Sequence, residues 1–203
     1  MKPKIKVCGF TQAGNAREAS LLGIDAVGLV FYDKSPRYVE VKTALEIVNT
    51  LPPFINRVGL FVNANSSFID EVLCEVPLDT LQFHGDESPI ECGQYAMPFI
   101  KAVRVHQDTD LVKMADDYHQ SCGLLLDAFN KNTYGGTGEI FDWGLAKVEL
   151  DLPIILAGGL DSNTVADAVK QVNPYAVDVS SGVESAKGVK DIDKIKQFIA
   201  NTK

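Results

Sequence analysis

The chain has 203 residues, 46% hydrophobic and 23% charged, with a formal net charge of −8. That length suits one sizeable core and predicts a single domain over 1–203. The acidic balance lacks the basic footprint of a nucleic-acid binder, and no apolar run nears the roughly 20 residues of a membrane span. The first residues, MKPKIKVCGF, lack the apolar stretch of a secretory signal, which predicts a cytoplasmic protein. Cysteines stand at 8, 74, 92 and 122 with no CxxC spacing and no histidine in a ligand pattern, so no metal site is expected.

Ile5 to Gly9 reads as a short strand, and Gln12 to Leu22 as a helix ended by Gly23, a good C-cap residue. Ala26 to Phe31 has the length and apolarity of a buried strand, and Tyr32 to Tyr38 is a turn-rich loop. Val41 to Leu51 carries apolar residues at helical spacing until Pro52-Pro53 stops it. Arg57 to Val62 is a third strand. Phe68 to Val76 follows as a helix, with Asn65, Ser66 and Ser67 as cap candidates.

The alternation continues to the end of the chain. Thr80 to His84 is a strand and Ser88 to Tyr95 a short helix. Phe99 to Val105 is a strand and Leu111 to Tyr118 a helix. Gly123 to Phe129 is a strand whose leucines read as buried on both faces, and Asp142 to Val148 is a helix. Pro153 to Gly159 and Ala176 to Ser181 are the last strands, and Asn163 to Val172 and Asp191 to Ala200 the last helices. Eight strand–helix units without a linker predict a parallel sheet closed into a (β/α)₈ TIM barrel. Neither a dinucleotide fingerprint nor a P-loop is present.

In such a barrel the carboxyl ends of the strands share one face, where ligands bind. Taken unit by unit, those ends present Cys8, the loop with Arg37, Asn63, Gln82 with His84, Arg104, Asp127, Gly158-Gly159 and the run from Asp178 to Gly182. Each has a bland alternative: Cys8 as a small core residue, Asp127 as a brace for its loop, Arg37 as a solvated loop residue, His84 as a satisfied strand-end histidine. The functional reading makes Asp127 a general acid, which a nearby anionic ligand would keep protonated. It makes Cys8 a general base, once its thiol is nudged downward from about 8.5. Arg37, held between Pro36 and Tyr38, is placed to clamp a carboxylate with two parallel hydrogen bonds. The small-residue loops AGGL (157–160) and DVSSGVE (178–184) suit phosphate, the second able to lead into a short helix. After Asp127, the glycine-rich stretch Asn130 to Gly138 suits a lid.

Several segments, taken together, carry a family resemblance. They are KVCGFT (6–11), DAVGLVFYDKSPRYV (25–39), VGLFVN (58–63), LQFHGDES (81–88), LLLDAFNKNTYGGTGEIFDW (124–143), ILAGGL (155–160), and DVSSGVES (178–185) with GVKD (188–191). In these the chain resembles the phosphoribosylanthranilate isomerases of tryptophan biosynthesis over essentially its whole length. The resemblance implies a cofactor-free Amadori rearrangement of N-(5-phosphoribosyl)anthranilate. It makes Asp127 the acid at the furanose ring oxygen, Cys8 the base at ribose C2 and Arg37 the anthranilate carboxylate clamp. Gly158, Gly159, Asp178, Ser180 and Ser181 take phosphate-loop positions, and Gln82 and His84 are further substrate-binding candidates. The expected partner is a small phosphorylated substrate, with the chain a monomer or homodimer. The rival readings are a sibling phosphate-binding barrel enzyme and a non-catalytic phosphate-ligand sensor.

Overall fold

The computed structural model describes residues 2–128 and 142–202. Eight parallel strands close into a barrel in sequence order: β1 (Lys4–Cys8), β2 (Ala26–Val30), β3 (Asn56–Phe61), β4 (Thr80–Phe83), β5 (Phe99–Val105), β6 (Leu124–Ala128), β7 (Ile154–Leu156) and β8 (Ala176–Val179). β8 pairs back onto β1, with Lys6 opposite Asp178, so the barrel sheet has no open edge. The (β/α)₈ expectation holds. The glycine-rich stretch read as a lid lies outside the described residues.

Around the barrel stand α1 (Ala13–Ser20), α2 (Val41–Thr50), α3 (Ser66–Glu75), α4 (Pro89–Gly93), α5 (Leu111–Asp117), α6 (Val165–Val172) and α7 (Ile192–Asn201). Local chemistry sets their ends. Asn65 accepts from the Phe68 N–H, Ser88 and Glu91 form a capping box around Pro89, and Asp191 accepts from the N–H groups of Asp193 and Lys194. α6 stops at Asn173, which takes the left-handed conformation at φ 51°.

Two connections differ from expectation. Asp142 to Val148 was expected to be a helix, but only a 3₁₀ turn forms, Trp143–Ala146, capped by Asp142 on the Gly144 N–H. Gly144, near the start of the stretch, is a poor helix former. Directly after β8, where DVSSGVE was read as able to lead into a short helix, the chain forms a hairpin, β9 (Glu184–Ala186) and β10 (Val189–Lys190), turned at Gly188 with φ 80°, before α7 begins.

The main core lies between sheet and helices, where Phe10, Phe61, Phe83, Leu124, Leu126, Leu156 and Phe198 are fully buried. Alternate strand residues point to the barrel axis instead. One apolar cluster there joins Ile100, Ala102, Leu125, Ile155, Ala157 and Ala176; another, on the first three strands, joins Cys8, Val30, Leu60 and Val62. Polar side chains share this interior, and they form the site.

Lys101, on β5, faces outward yet is buried. Its Nζ donates to Glu87 Oε2 and to the Gly85 carbonyl, each at 2.8 Å, and sits 5.5 Å from the Tyr118 ring centroid. Glu87 also accepts from the N–H groups of Asn63 and Gly85, so this pair fastens the loop leaving β4. Removing one member leaves a buried charge uncompensated, at a cost of about 3–5 kcal/mol. Lys101→Met is expected to lower the unfolding free energy measured in urea by that amount; an unchanged value would show the pair contributes nothing.

Candidate active site

A cleft opens at the carboxyl ends of the strands, the face on which barrels of this kind bind ligands. Its lining includes Cys8, Tyr32, Ser35, Arg37, His84, Asp127, Gly158, Gly159, Asp178, Ser180 and Ser181. Nine of the ten candidate residues thus share one cavity. Gln82 is the exception: it is fully buried and does not line the cleft.

Cys8 ends β1 with its side chain inward. A Cβ on Gly28 of the neighbouring strand would lie 2.6 Å from the Cys8 sulfur, so glycine there makes room for the thiol. The thiol was expected to be nudged downward, yet burial pushes it above its ordinary 9.0. Lys6 and Lys190 pull the other way and Asp178 reinforces the rise, so the lost hydration outweighs the two ammonium groups.

Lys6, two residues before Cys8 on the same face, donates to Asp178 Oδ1 at 2.9 Å, both side chains nearly inaccessible. Asp178 therefore does not sit on a phosphate loop as expected. β8 runs on through Val179, so Asp178 is a strand residue facing the axis, and the loop begins at Ser180. Burial raises its carboxyl, with Lys6 opposing.

Across the mouth, Asp127 is held at both oxygens. Oδ1 accepts from the Ala128 N–H at 2.8 Å, and Oδ2 lies 3.1 Å from His84 Nε2. Gln82 Nε2 is 2.9 Å from His84 Nδ1. With the amide nitrogen donating at Nδ1, the ring proton sits on Nε2 and faces Asp127. Gln82 is one strand layer deeper than His84, which is why it orients the ring and cannot reach a ligand.

The loops after β7 and β8 fill the arc between Asp127 and Cys8. Gly158 and Gly159 take φ of 76° and 64°, and their N–H groups have no acceptor among the described residues. Leu160 and Asp161 run against Gly182, where a Cβ would meet the Leu160 carbonyl oxygen at 2.0 Å. Ser180 donates to the Cys8 carbonyl at 2.9 Å. This is a small-residue cradle rich in backbone N–H groups, suited to a phosphate.

Arg37 was expected to clamp a ligand carboxylate with two parallel hydrogen bonds, and one edge of its fork is already occupied. Nε and Nη2 donate to the Glu184 carboxylate at 2.7 and 2.9 Å. Glu184 also accepts from Lys190 Nζ at 2.7 Å. Burial alone would raise the Glu184 carboxyl, but hydrogen bonds from Arg37 and Lys190 reverse this and hold it below its ordinary value. Lys190 is lowered by burial, against the pull of Glu184. The other rim candidates brace the loop after β4: Asn63 accepts from the Asp86 N–H, and Arg104 pairs with the Asp86 carboxylate.

Lys6, Glu184 and Lys190 were not anticipated. Lys6 had a signal, since period two puts it on the Cys8 face. Glu184 and Lys190 had none, because their role follows from the hairpin.

Fold and site together define a class: a (β/α)₈ barrel whose mouth places a small-residue, N–H-rich cradle between a thiol and a carboxyl group. The chain matches the family described as N-(5'phosphoribosyl)anthranilate (PRA) isomerase over residues 5–201. It is 51% identical over 203 residues to the N-(5'-phosphoribosyl)anthranilate isomerase of Thiobacillus denitrificans, covering 100% of this chain and 99% of that one. It is 53% identical over 195 residues to that of Pseudomonas savastanoi pv. phaseolicola, covering 96% and 95%. The crystal structure of the Thermotoga maritima phosphoribosyl anthranilate isomerase superposes with a TM-score of 0.89 at 39% identity, over 98% of both chains. Another structure, of an isomerase in complex with reduced 1-(o-carboxyphenylamino)-1-deoxyribulose 5-phosphate, gives 0.86, with the same identity and coverage. The chain belongs to the N-(5'-phosphoribosyl)anthranilate isomerase family.

The electrostatics of Cys8 can be tested without substrate. A thiol held above 9.0 reacts slowly at neutral pH, because the thiolate is the nucleophile. Mass-spectrometric tracking of iodoacetamide labelling should show Cys8 reacting more slowly than the exposed Cys74 and Cys122, and still accelerating beyond pH 9. Rapid labelling of Cys8 at pH 6 would contradict this balance of charges.

Proposed function

We propose that this chain catalyses the isomerisation of N-(5-phosphoribosyl)anthranilate to 1-(2-carboxyphenylamino)-1-deoxyribulose 5-phosphate in tryptophan biosynthesis. The observation that carries the reading is the placement of Cys8 and Asp127 on one cleft, with the two small-residue loops on the arc between them. Family membership supports it.

The substrate phosphate lies on the N–H groups of Gly158 and Gly159 and against Ser180 and Ser181. The anthranilate carboxylate meets the free side of the Arg37 fork. Asp127, oriented by His84, gives a proton to the furanose ring oxygen. The C1–O bond breaks and C1 becomes an iminium carbon. The positive charge acidifies the neighbouring C2–H, and the Cys8 thiolate removes that proton to leave an enamine. Tautomerisation to the ketone completes an isomerisation with no net change of atoms or electrons. In the free protein the thiolate is the minority form, and the nearby Lys6 ammonium favours it. Gln82 acts from below through His84.

Each substitution at the acid or base removes a proton transfer worth about 10²-fold or more in turnover. Cys8→Ser and Asp127→Asn are expected to lower kcat by that factor with smaller changes in KM. The same variants should fail to restore growth of a tryptophan auxotroph lacking only this isomerase, which the unaltered chain restores. Wild-type turnover in either variant would overturn the role given to that residue, and failure of the soluble, unaltered chain to complement would overturn the activity.

A further inference from the structure

The hairpin after β8 has a use that the proposed chemistry leaves unexplained. Its two strands supply Glu184 and Lys190, and both side chains are almost completely inaccessible. Glu184 takes one edge of the Arg37 guanidinium in a two-bond, planar arrangement. A guanidinium has five N–H donors, so three remain, and they include a second forked edge. The stem of Arg37 is confined as well. A Cβ on Gly9 would lie 2.5 Å from Arg37 Cδ, so the side chain runs directly over the end of β1. The Arg37 backbone N–H donates to Ser35 Oγ at 3.1 Å.

The hairpin itself is fastened. Asn15 donates to the Lys190 carbonyl and accepts from the Lys190 N–H, each at 2.8 Å. Thr11 donates to the Gly188 carbonyl at 2.7 Å, and Lys194 Nζ donates to the Glu184 carbonyl at 2.7 Å. The charges also add up in a telling way. Arg37 with Glu184 alone is neutral, and a carboxylate beside the clamp repels a ligand carboxylate. Lys190 adds the third charge and restores one net positive. Its Nζ also reaches the Ser180 carbonyl at 3.2 Å and Ser180 Oγ at 3.3 Å, on the loop proposed for phosphate.

We infer that Glu184, supported by Lys190, is the positioning residue for Arg37, and that this chain sets the preference for an N-glycoside whose aryl amine carries a carboxylate. The inference rests on the reading of Arg37 as the carboxylate clamp. A free arginine samples many rotamers and loses that freedom on binding, whereas one already locked presents its second edge without that loss. The preference is therefore built in the unliganded protein, at a residue that does not touch the substrate.

The test compares two substrates, N-(5-phosphoribosyl)anthranilate and its counterpart made from aniline, which lacks the carboxylate. Glu184→Gln keeps the size of the side chain and removes its charge. It is expected to raise KM for the anthranilate compound about tenfold, with a smaller change in kcat, as for loss of binding common to ground and transition states. The ratio of kcat/KM between the two substrates should fall by about the same factor, since the aniline compound never used the clamp. Glu184→Asp, charged but shorter, should lie between. The double variant Arg37→Ala with Glu184→Gln should discriminate no worse than Arg37→Ala alone, because the two act as one unit. If Glu184→Gln does not fold, Glu184→Asp and Lys190→Met carry the same comparison, each expected to lower the ratio. If Arg37→Ala lowers it and none of these variants does, the inference is wrong and the clamp stands. If Arg37→Ala leaves the ratio at its wild-type value, the reading of the clamp itself is wrong.

Discussion

A parallel barrel closed on eight strands imposes one constraint from which the rest follows. Every strand runs the same way, so every carboxyl end lies at one mouth, and every second residue near that end points to the axis. Cys8 and Asp127 stand 119 positions apart in sequence, on strands separated by β7 and β8, yet no further device is needed to make them share a cleft. The two loops between them come from the strands between them.

Placing polar groups inward creates a second problem, since buried charge is costly unless paired. Among the described residues three ammonium groups are buried, and each has its own carboxylate: Lys6 with Asp178, Lys101 with Glu87, Lys190 with Glu184. None of these pairs is needed merely to hold the barrel shut, which the apolar clusters and the ladder already do. Each lies instead behind a side chain of the mouth. Lys6 stands one layer below Cys8, the Lys101 pair fastens the loop after His84, and Lys190 with Glu184 holds Arg37. Such pairs add little net stability over apolar packing, but they fix geometry, and geometry is what a proton-transfer site requires.

The fold was readable because alternating apolar runs and amphipathic stretches leave few architectures open. Leu124 to Leu126, apolar on both faces, marked a strand covered on both sides. The residues at strand ends were readable for the same reason, so Cys8, Asp127 and the glycine loops followed from position alone. Depth was harder. Asp178 fell within both the last strand and the phosphate run DVSSGVE because that run has no sharp boundary, and Gln82 could not be separated from His84 without knowing which layer each occupies. Pairing was hardest. Arg37 and Glu184 are 147 positions apart, and nothing near either residue names the other. The hairpin that joins them reads equally well as the start of a helix until Gly188 is seen to turn it. The opposite direction of the Cys8 shift has the same origin: the thiol's exposure depends on Gly28 and the strands around it, which no local motif records.

The central claim is that acid and base face the sugar from opposite sides of one mouth, with the phosphate held between them. A crystal structure of this chain with the reduced product, 1-(o-carboxyphenylamino)-1-deoxyribulose 5-phosphate, tests it most directly. The phosphate is expected on Gly158, Gly159 and Ser181, C2 in contact with the Cys8 sulfur, and the C4 oxygen, once the ring oxygen, within hydrogen-bond reach of Asp127. A ligand bound with its phosphate elsewhere, or with C2 facing away from Cys8, would contradict it.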